Sequence, residues 1–413
     1  MWQPERMMHR SIAATLGSAV AVLLVAAGCT RASHPAPVRR QQPPQPASSS
    51  ITGSSSAVSP PVTASTQPPG PRTVTVLGSG DVLIHPPLWQ QAAADARAEG
   101  HFGYDFSAIY HSIAADVRTA DVATCELETP LAPPGGPFSG WPDFNAPPQV
   151  LTALKAVGYT SCTTASNHTL DQGYAGVART LAELDAAGLR HTGSARSAAE
   201  AAKPLIETTS TGVKVAQLAY AFGFNGIALP ADQPWLANLT SVPNILAAAH
   251  RARLAGADIV VLSMHWGTEY QHQPTDEQRS QARALLASPD IDVILGDHVH
   301  VVQPFEEFNG KWVAYGMGNQ ISRHANPIDD SREGVMPRFT FTELGPHRWR
   351  VTRVEAIPTW MQLTPHLRLI DLPRALADPG TTPGERVTYV KARDHIAAYL
   401  NMLGASAHGL VIE

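Results

Sequence analysis

Side chains that can bind metals or transfer protons recur directly after the predicted strands of this chain. Carboxylate, imidazole and amide groups are the ligands and proton carriers that hydrolytic and metal sites use. Strand-end loops of an α/β fold hold such groups rigidly, so their recurrence predicts one site assembled from several loops. The segments are Gly80–His85 (GDVLIH), Glu126–Pro130 (ELETP), Ser166–Gly173 (SNHTLDQG), His265–Tyr270 (HWGTEY), Gly296–His300 (GDHVH) and Tyr315–Asn319 (YGMGN).

The pair His298 and His300 is the clearest indication of a metal site in the sequence. Side chains two residues apart lie on the same side of an extended segment, so the pair suits one metal or two neighbouring metals. Mn²⁺, Zn²⁺ and Fe²⁺ accept mixed sets of imidazole and carboxylate ligands. These loops contain no cysteine, which argues against a structural zinc–thiolate site. The alternative is that the histidines are structural residues of a soluble α/β domain.

The elements that must position these loops alternate between strands and helices. The apolar runs Val74–Gly80 and Asp258–Met264 predict buried strands, and the periodic segments Leu88–Glu99 and Tyr174–Ala187 predict helices. The turn signal Asn309–Gly310 predicts a hairpin. Together they indicate an α/β fold in which helices cover both faces of mixed sheets.

The N-terminal part of the chain has the features of an export signal and a tether. Residues 1–28 combine an arginine-containing start with a short apolar run, which is typical of a signal peptide. Small residues before Cys29 resemble the lipobox of bacterial lipoproteins and predict lipid attachment to Cys29. Plain secretion and an uncleaved anchor are the alternatives. Residues 29–72 are rich in Pro and Ser and predict a disordered tether, followed by one folded domain at 73–413.

Bulk composition excludes some classes of protein. Hydrophobic residues make up 44% of the 413 residues and the formal net charge is -5, which fits a globular core and gives no basic face for nucleic acid. Three cysteines are too few for a disulfide framework. Cys125 and Cys162 could pair outside the cytoplasm, but we favour two separate small buried residues.

Taken in order, these segments resemble the CapA family, the poly-γ-glutamate capsule synthesis proteins, over Val74 to Asn319. That family is similar in fold to the calcineurin-like metallophosphatases. The resemblance implies a metallophosphatase-like layered α/β sandwich, with mixed sheets flanked by helices and a metal site at the strand ends. It also implies a role in making or exporting an anionic cell-surface polymer.

The resemblance gives individual residues a role. His168 would be the acid or the stabiliser of the transition state, and Glu128 would bridge two ions. The implied ligands of one or two divalent ions (Mn, Zn or Fe) are Asp81, Glu128, Asn167, His265, His298 and His300.

The chain also departs from the metallophosphatase pattern. Leu83 lies where those enzymes have a histidine two residues after the first aspartate, so the number of ions stays open. Asp171 either orients His168 or caps the next helix, and capping is the role we favour. The residues expected to support the ligands or substitute for one are His85, Glu126, Asp171 and Glu269.

Two functional hypotheses follow. The first is a metal-dependent hydrolase that acts on a phosphoester or an amide-linked polymer. The second is a non-catalytic assembly factor that handles a nascent anionic polymer. In both, the expected location is the extracytoplasmic face of the membrane through a lipid anchor, and the expected partners are membrane ligase and export subunits.

Overall fold

The computed structural model describes residues 70–324, 328 and 330–413. The expected signal peptide, Cys29 and nearly all of the expected tether lie outside the described residues. Within them the strands are, in chain order, β1 (Thr73–Val82), β2 (Val122–Glu126), β3 (Ser161–Thr163), β4 (Arg190–Thr192), β5 (Leu205–Thr208), β6 (Lys214–Ala221), β7 (Ile259–His265), β8 (Val293–Asp297), β9 (Phe305–Phe308), β10 (Lys311–Ala314), β11 (Asn319–Ile321), β12 (Glu333–Gly345), β13 (Arg348–Gln362), β14 (Arg368–Asp371) and β15 (Leu410–Ile412).

The helices alternate with the strands in the first two thirds of the described region. Where a proline starts a helix, as Pro86 does, its fixed φ suits the first turn and its missing N–H costs nothing there. The helices are α1 (Pro86–Ala98), α2 (Ser107–Tyr110), α3 (Ala114–Thr119), α4 (Val150–Val157), α5 (Gly173–Ala186), α6 (Ala198–Ala201), α7 (Val242–Leu254), α8 (Asp276–Leu286), α9 (Leu372–Ala377) and α10 (Pro383–Leu400). No helix in this part of the chain is long and apolar enough to cross a membrane.

The strands form two mixed sheets. The first has the order β14-β13-β12-β1-β2-β3-β4, with β11 also paired to β1 and β15 to β13. The second has the order β5-β6-β7-β8-β10-β9. Strands β1 to β4 run parallel to one another, as do β6, β7, β8 and β10, so several strands of each sheet end at the same edge.

The two sheets pack face to face because alternate strand residues point to opposite sides. Val74 and Val76 of β1 join Val261 of β7 and Val293 of β8 in one buried cluster between the sheets. Leu77, the neighbour of Val76, instead faces helices α1, α4 and α5 on the outer side. A third cluster joins the far side of the second sheet to α7 and α8. The expected layered α/β sandwich, with mixed sheets flanked by helices, is confirmed.

Cys125 and Cys162 form a disulfide, so the favoured interpretation of two separate cysteines is wrong. The residues face each other in the register of the parallel pair β2 and β3, with Cα atoms 4.5 Å apart. That separation lies within the range a disulfide can bridge. The sequence predicted both strands, but it could not predict this pairing, because the pairing depends on the register between the strands.

Candidate metal centre

Strand register brings the expected polar residues to one edge of the sandwich. Asp81 in β1 pairs with Glu126, the last residue of β2. In the other sheet His265, the last residue of β7, pairs with Asp297, the last residue of β8. All four side chains are buried. Each sheet therefore supplies one half of a single polar centre.

Two groups of side chains converge at this edge and share Asp81. One ligand atom from each of Asp81, Glu126 and His265 lies within 4.8 Å of the others, and the same holds for Asp81, Glu128 and His300. Asp81 therefore has the position of a bridging acid, the role that the resemblance gives to Glu128. Glu126, expected to support the ligands or to substitute for one, lies in the first of these candidate groups.

The carboxylates of Glu126 and Glu128 are buried without hydrogen-bond partners among the described residues. Glu126 Oε1 lies 3.6 Å from His265 Nδ1, and Glu128 Oε1 lies 3.9 Å from His300 Nε2. Burial, followed by the charges of Asp81 and Asp297, raises the pKa of Glu126 well above its ordinary value. Burial raises the pKa of Glu128 to about 8, opposed by His300 and assisted by Asp81. Such carboxylates are costly to bury unless a cation neutralises them.

His298 and His300 lie in a loop and not in the extended segment that the sequence predicted. Their φ angles are 90° and 57°, yet the ring centroids are only 6.0 Å apart. The backbone N–H of His298 donates to Asp81 Oδ1 over 3.1 Å, and His298 Nδ1 has no partner among the described residues. Burial, with the neighbouring His300, lowers the pKa of His298 to about 3, so its imidazole stays neutral and able to ligate.

His300 is tied to the shared aspartate. Its Nδ1 lies 3.0 Å from Asp81 Oδ2 and 3.1 Å from Asn319 Oδ1. Burial lowers its pKa, but Glu128 and Asp81 outweigh that effect and raise the pKa of His300 to about 9. A cation bound beside it would compete with this proton, because a metal ligand must be the neutral imidazole.

Asn167 and His265 are joined across the two sheets. His265 Nε2 lies 2.9 Å from Asn167 Oδ1, and Asn167 Nδ2 donates to Asn225 Oδ1 over 3.1 Å. Burial, followed by the nearby His298, lowers the pKa of His265 well below its ordinary value. One nitrogen of its ring faces Asn167 and the other faces Glu126. The ring therefore lies between two oxygen groups that could also bind a cation.

Asp171 orients His168 and does not cap a helix, so the favoured capping role is wrong. Helix α5 begins at Gly173, and its cap residue Gln172 makes no side-chain cap. Asp171 Oδ2 lies 2.7 Å from His168 Nδ1 and accepts a hydrogen bond from the Phe144 N–H over 2.8 Å. Burial lowers the pKa of His168, but Asp171 and Glu128 raise it overall. Nδ1 of His168 is thus held by Asp171, and its Nε2 makes no hydrogen bond among the described residues.

Some other residues beside the centre had no role assigned to them from the sequence patterns. Asp297 is buried with its Oδ1 unpartnered in the described structure, and it lay in a quoted motif between a glycine and the two histidines. Asn225 and His324 lie in no motif, so no sequence signal could have found them. His85 and Glu269 stand in the wall of a cleft above the centre, outside both ligand groups.

That cleft, here termed the inner cleft, has a volume of about 290 Å³ and gives solvent access to the centre. Its floor contains Asn167, His168 and His300, the residues that a substrate would meet. Glu269 is exposed at its rim. A polar cleft with perturbed acids and histidines at its floor has the features of an active site.

The donor set fits a divalent cation. Oxygen and nitrogen donors converge, no thiolate is among them, and the buried carboxylates of Glu126 and Glu128, which make no hydrogen bond among the described residues, could supply negative charge to a cation. Mn²⁺, Zn²⁺ and Fe²⁺ accept this mixture. Asp81, Glu126 and His265 would hold one ion, and Asp81, Glu128 and His300 a second.

A comparison with protein families decides the assignment. The family model described as bacterial capsule synthesis protein PGA_cap matches residues 75–324, which is more than half of the 413-residue chain. The chain belongs to this family. The matched residues of this PGA_cap member contain both ligand groups of the centre, and the expected CapA resemblance is confirmed.

Two curated relatives are similar over part of their length. The PGA biosynthesis protein CapA of Bacillus subtilis (strain 168) is 30% identical over 206 residues, which is 50% of this chain and 53% of the relative. The capsule biosynthesis protein CapA of Bacillus anthracis is 29% identical over 183 residues, covering 43% of this chain and 44% of the relative. This PGA_cap chain thus spans about half the length of the curated relatives it matches.

The solved structures that match this chain are distant from it in sequence. A novel phosphatase from Mycoplasma pneumoniae superposes with a TM-score of 0.42 at 14% identity, over 75% of this chain and 98% of that one. The NAD nucleotidase NadN of Haemophilus influenzae gives a TM-score of 0.43 at 13% identity, over 83% and 64% of the two chains.

Proposed function

We propose that this chain is an exported envelope protein that takes part in making or exporting a poly-γ-glutamate-like polymer, and that it does so through a divalent-metal hydrolase centre. The observation that carries the proposal is the pair of ligand groups that share Asp81 at the floor of an open cleft. Membership of the capsule synthesis family supports the polymer, and the unpartnered buried carboxylates support the metal.

The residues around the centre suit hydrolysis. A bound divalent cation supplies positive charge that activates water and neutralises charge on the substrate oxygen. His168 stands beside the ligand groups, with Nδ1 held by Asp171 and the inner cleft in front of it. Burial lowers the pKa of His168, but Asp171 and Glu128 raise it overall, which favours the protonated ring that would donate from Nε2 to the leaving group.

Export and membrane attachment form part of the same proposal. Residues 1–28 would direct export, Cys29 would carry a lipid, and the tether 29–72 would separate the domain 73–413 from the membrane. The Cys125–Cys162 disulfide supports a location outside the cytoplasm, since disulfides persist in oxidising compartments. Membrane ligase and export subunits are the proposed partners.

Metal analysis tests the proposal with variants matched in size. Purified residues 70–413, expressed in a disulfide-permissive compartment, would be assayed for bound Mn, Zn and Fe beside Asp81→Asn, Glu126→Gln and Glu128→Gln. Because Asp81 belongs to both groups, we expect Asp81→Asn to lose both ions, and each glutamine variant to lose one. Turnover of phosphomonoester, phosphodiester and γ-linked glutamate oligomers would be followed on the same samples.

The outcomes separate the hypotheses. Stoichiometric metal, with turnover that disappears together with the metal, supports the hydrolase. Metal without turnover of any of these substrates would favour the non-catalytic assembly factor. A wild-type chain that binds no metal under metal-replete conditions would refute the centre as described.

A further inference from the structure

A second cavity, here termed the outer cleft, continues the inner cleft away from the metal centre. Its volume is about 630 Å³, larger than that of the inner cleft. The two share part of their walls, so a chain-like ligand could run from one into the other. The shared residues are His85, Trp141, Tyr270 and His324.

The walls of the outer cleft are mainly rings. Trp141 and Tyr270 are exposed to 77% and 45%, and Pro86 and Pro87 add two apolar rings from the start of α1. Large aromatic groups that remain exposed beside a polar centre are available to pack against the methylene groups of a ligand. Side chains of this size would be more stable if they were buried, so their exposure leaves apolar surface that a ligand could cover.

Arg323 provides the charge of this cleft. His85 and His324 also line it. Arg323 is the one arginine or lysine among the described lining residues, which include no aspartate or glutamate. Its Nη1 donates to the His324 carbonyl, and its Nε and Nη2 have no partner in the described structure. Those donors form the side of a guanidinium that binds carboxylates.

Short contacts connect Arg323 with the metal centre. The Arg323 backbone N–H lies 3.2 Å from His85 Nδ1, and the His324 ring lies 4.8 Å from that of His85 and 5.3 Å from that of His300. The side chain of His324, the neighbour of Arg323, thus lies against His300, a candidate ligand of the centre. The inner cleft, by contrast, contains the acidic residues Asp143, Asp171 and Glu269, which would repel an anionic group lying there.

We propose that the outer cleft is a substrate subsite in which Arg323 binds a free carboxylate of the polymer one or two units from the bond at the metal centre. Trp141 and Tyr270 pack against the methylene stem of that unit. This inference rests on the proposed function and adds the part of the substrate that is recognised: an anionic carboxylate carried on a flexible aliphatic stem.

Binding measurements on metal-loaded protein test the subsite. Titration of wild type and Arg323→Gln with γ-linked glutamate oligomers, and with the same oligomers as methyl esters, isolates the carboxylate contact. We expect Arg323→Gln to weaken binding of the acid about tenfold or more, and to leave binding of the ester unchanged. Arg323→Lys keeps the charge but lacks the forked guanidinium, so its affinity for the acid should lie between those of wild type and Arg323→Gln.

Arg348→Gln is the matched control, because it makes the same change of charge elsewhere. Arg348 is exposed at the start of β13, beside the end of β12 that pairs with the beginning of β1, whereas the centre lies at the end of β1. Wild-type affinity in Arg323→Gln, at unchanged metal content, would overturn the subsite and leave the proposed function standing. A wild-type protein that binds metal but no oligomer would refute the polymer assignment, and the subsite with it.

Discussion

At the scale of single residues, the centre is defined by groups that are unsatisfied without a cation. Glu126 and Glu128 are buried, bear no hydrogen bond in the described structure and have raised pKa values. Folding alone would select against such carboxylates, since a buried unpaired charge is costly. Asp81 is different, because His298 and His300 satisfy its two oxygens. Its contacts fix it in the position shared by both ligand groups.

The pair His168 and Asp171 leads to a prediction about acid catalysis. Replacing His168 with Ala should lower kcat by about 100- to 10,000-fold and leave the metal bound, because His168 belongs to neither ligand group. Asp171→Asn should lower kcat by less than the His168→Ala change does. It should also move the alkaline limb of the pH–rate profile to lower pH, because Asp171 raises the pKa of His168.

The control for that prediction is structural. Asparagine at position 171 can still accept the hydrogen bond from the Phe144 N–H, so the fold and the melting temperature should change little. A kcat lowered with no shift of the alkaline limb would mean that Asp171 has only a structural role.

At the scale of elements, close packing of backbone shapes the edge where the centre lies. A Cβ on Gly80 would collide with the carbonyl oxygen of Gly318, and a Cβ on Gly296 with that of Tyr315. The glycines in the GDVLIH and GDHVH motifs therefore let the chain approach itself behind Asp81 and His298. They serve the centre by letting the backbone pack closely.

The disulfide between β2 and β3 leads to a prediction about stability. Cys125 directly precedes Glu126, and the bond closes a loop with a sequence separation of 37. Removing it as Cys125→Ala/Cys162→Ala should lower the free energy of unfolding by about 2–4 kcal/mol, measured by urea denaturation. Reductant should destabilise wild type by a similar amount and leave the double variant unaffected. Equal stability of wild type with and without reductant would mean that the two cysteines are not bonded in solution.

At the scale of the whole molecule, the metal centre joins the two sheets. Asp81 and Glu126 come from the first sheet and His265 from the second, with ligand atoms within 4.8 Å of one another. A cation there would hold the two halves of the sandwich together in addition to the apolar layer between them. Metal binding should therefore stabilise the whole domain and not only the loops around it.

Chelation should reveal this coupling through its dependence on pH. The folded, metal-free protein keeps Glu128 protonated up to about pH 8, whereas its ordinary pKa is 4.5. Because the folded pKa is raised, the stability it contributes is present at low pH and is lost as pH rises toward 8. A bound cation would prevent that loss of stability, because it would bind the ionised carboxylate of Glu128.

We therefore expect EDTA to lower the melting temperature, and the difference between metal-loaded and metal-free protein to widen from pH 5 to pH 8. Glu128→Gln lacks the titrating group and should give a flatter dependence in the metal-free state. A difference that stays constant or narrows over this range would contradict the proposed role of the buried carboxylates. The measurement is a thermal unfolding series across pH with and without chelator.

The sequence by itself determined the class of fold and most of the residues at the centre. Alternating apolar runs and periodic helices predict an α/β fold with helices covering mixed sheets, because those patterns are local properties of strands and helices, and the family resemblance implies the layered sandwich. The motifs after the strands predicted one polar site, since the carboxyl ends of parallel strands meet at one edge, and the family resemblance carried by those motifs implied Asp81, Glu128, Asn167, His265 and His300 as its ligands.

Only the tertiary structure decided which of these residues meet. Asp81 and His300 lie 219 positions apart in sequence, and their 3.0 Å contact depends on how the loop of one sheet packs over the edge of the other. The disulfide, the partner of Asp171, and the place of Arg323 in the outer cleft likewise depend on register and packing between distant segments. Sequence patterns report the local environment of a residue, whereas a site is a set of distances that the packing of the whole chain determines.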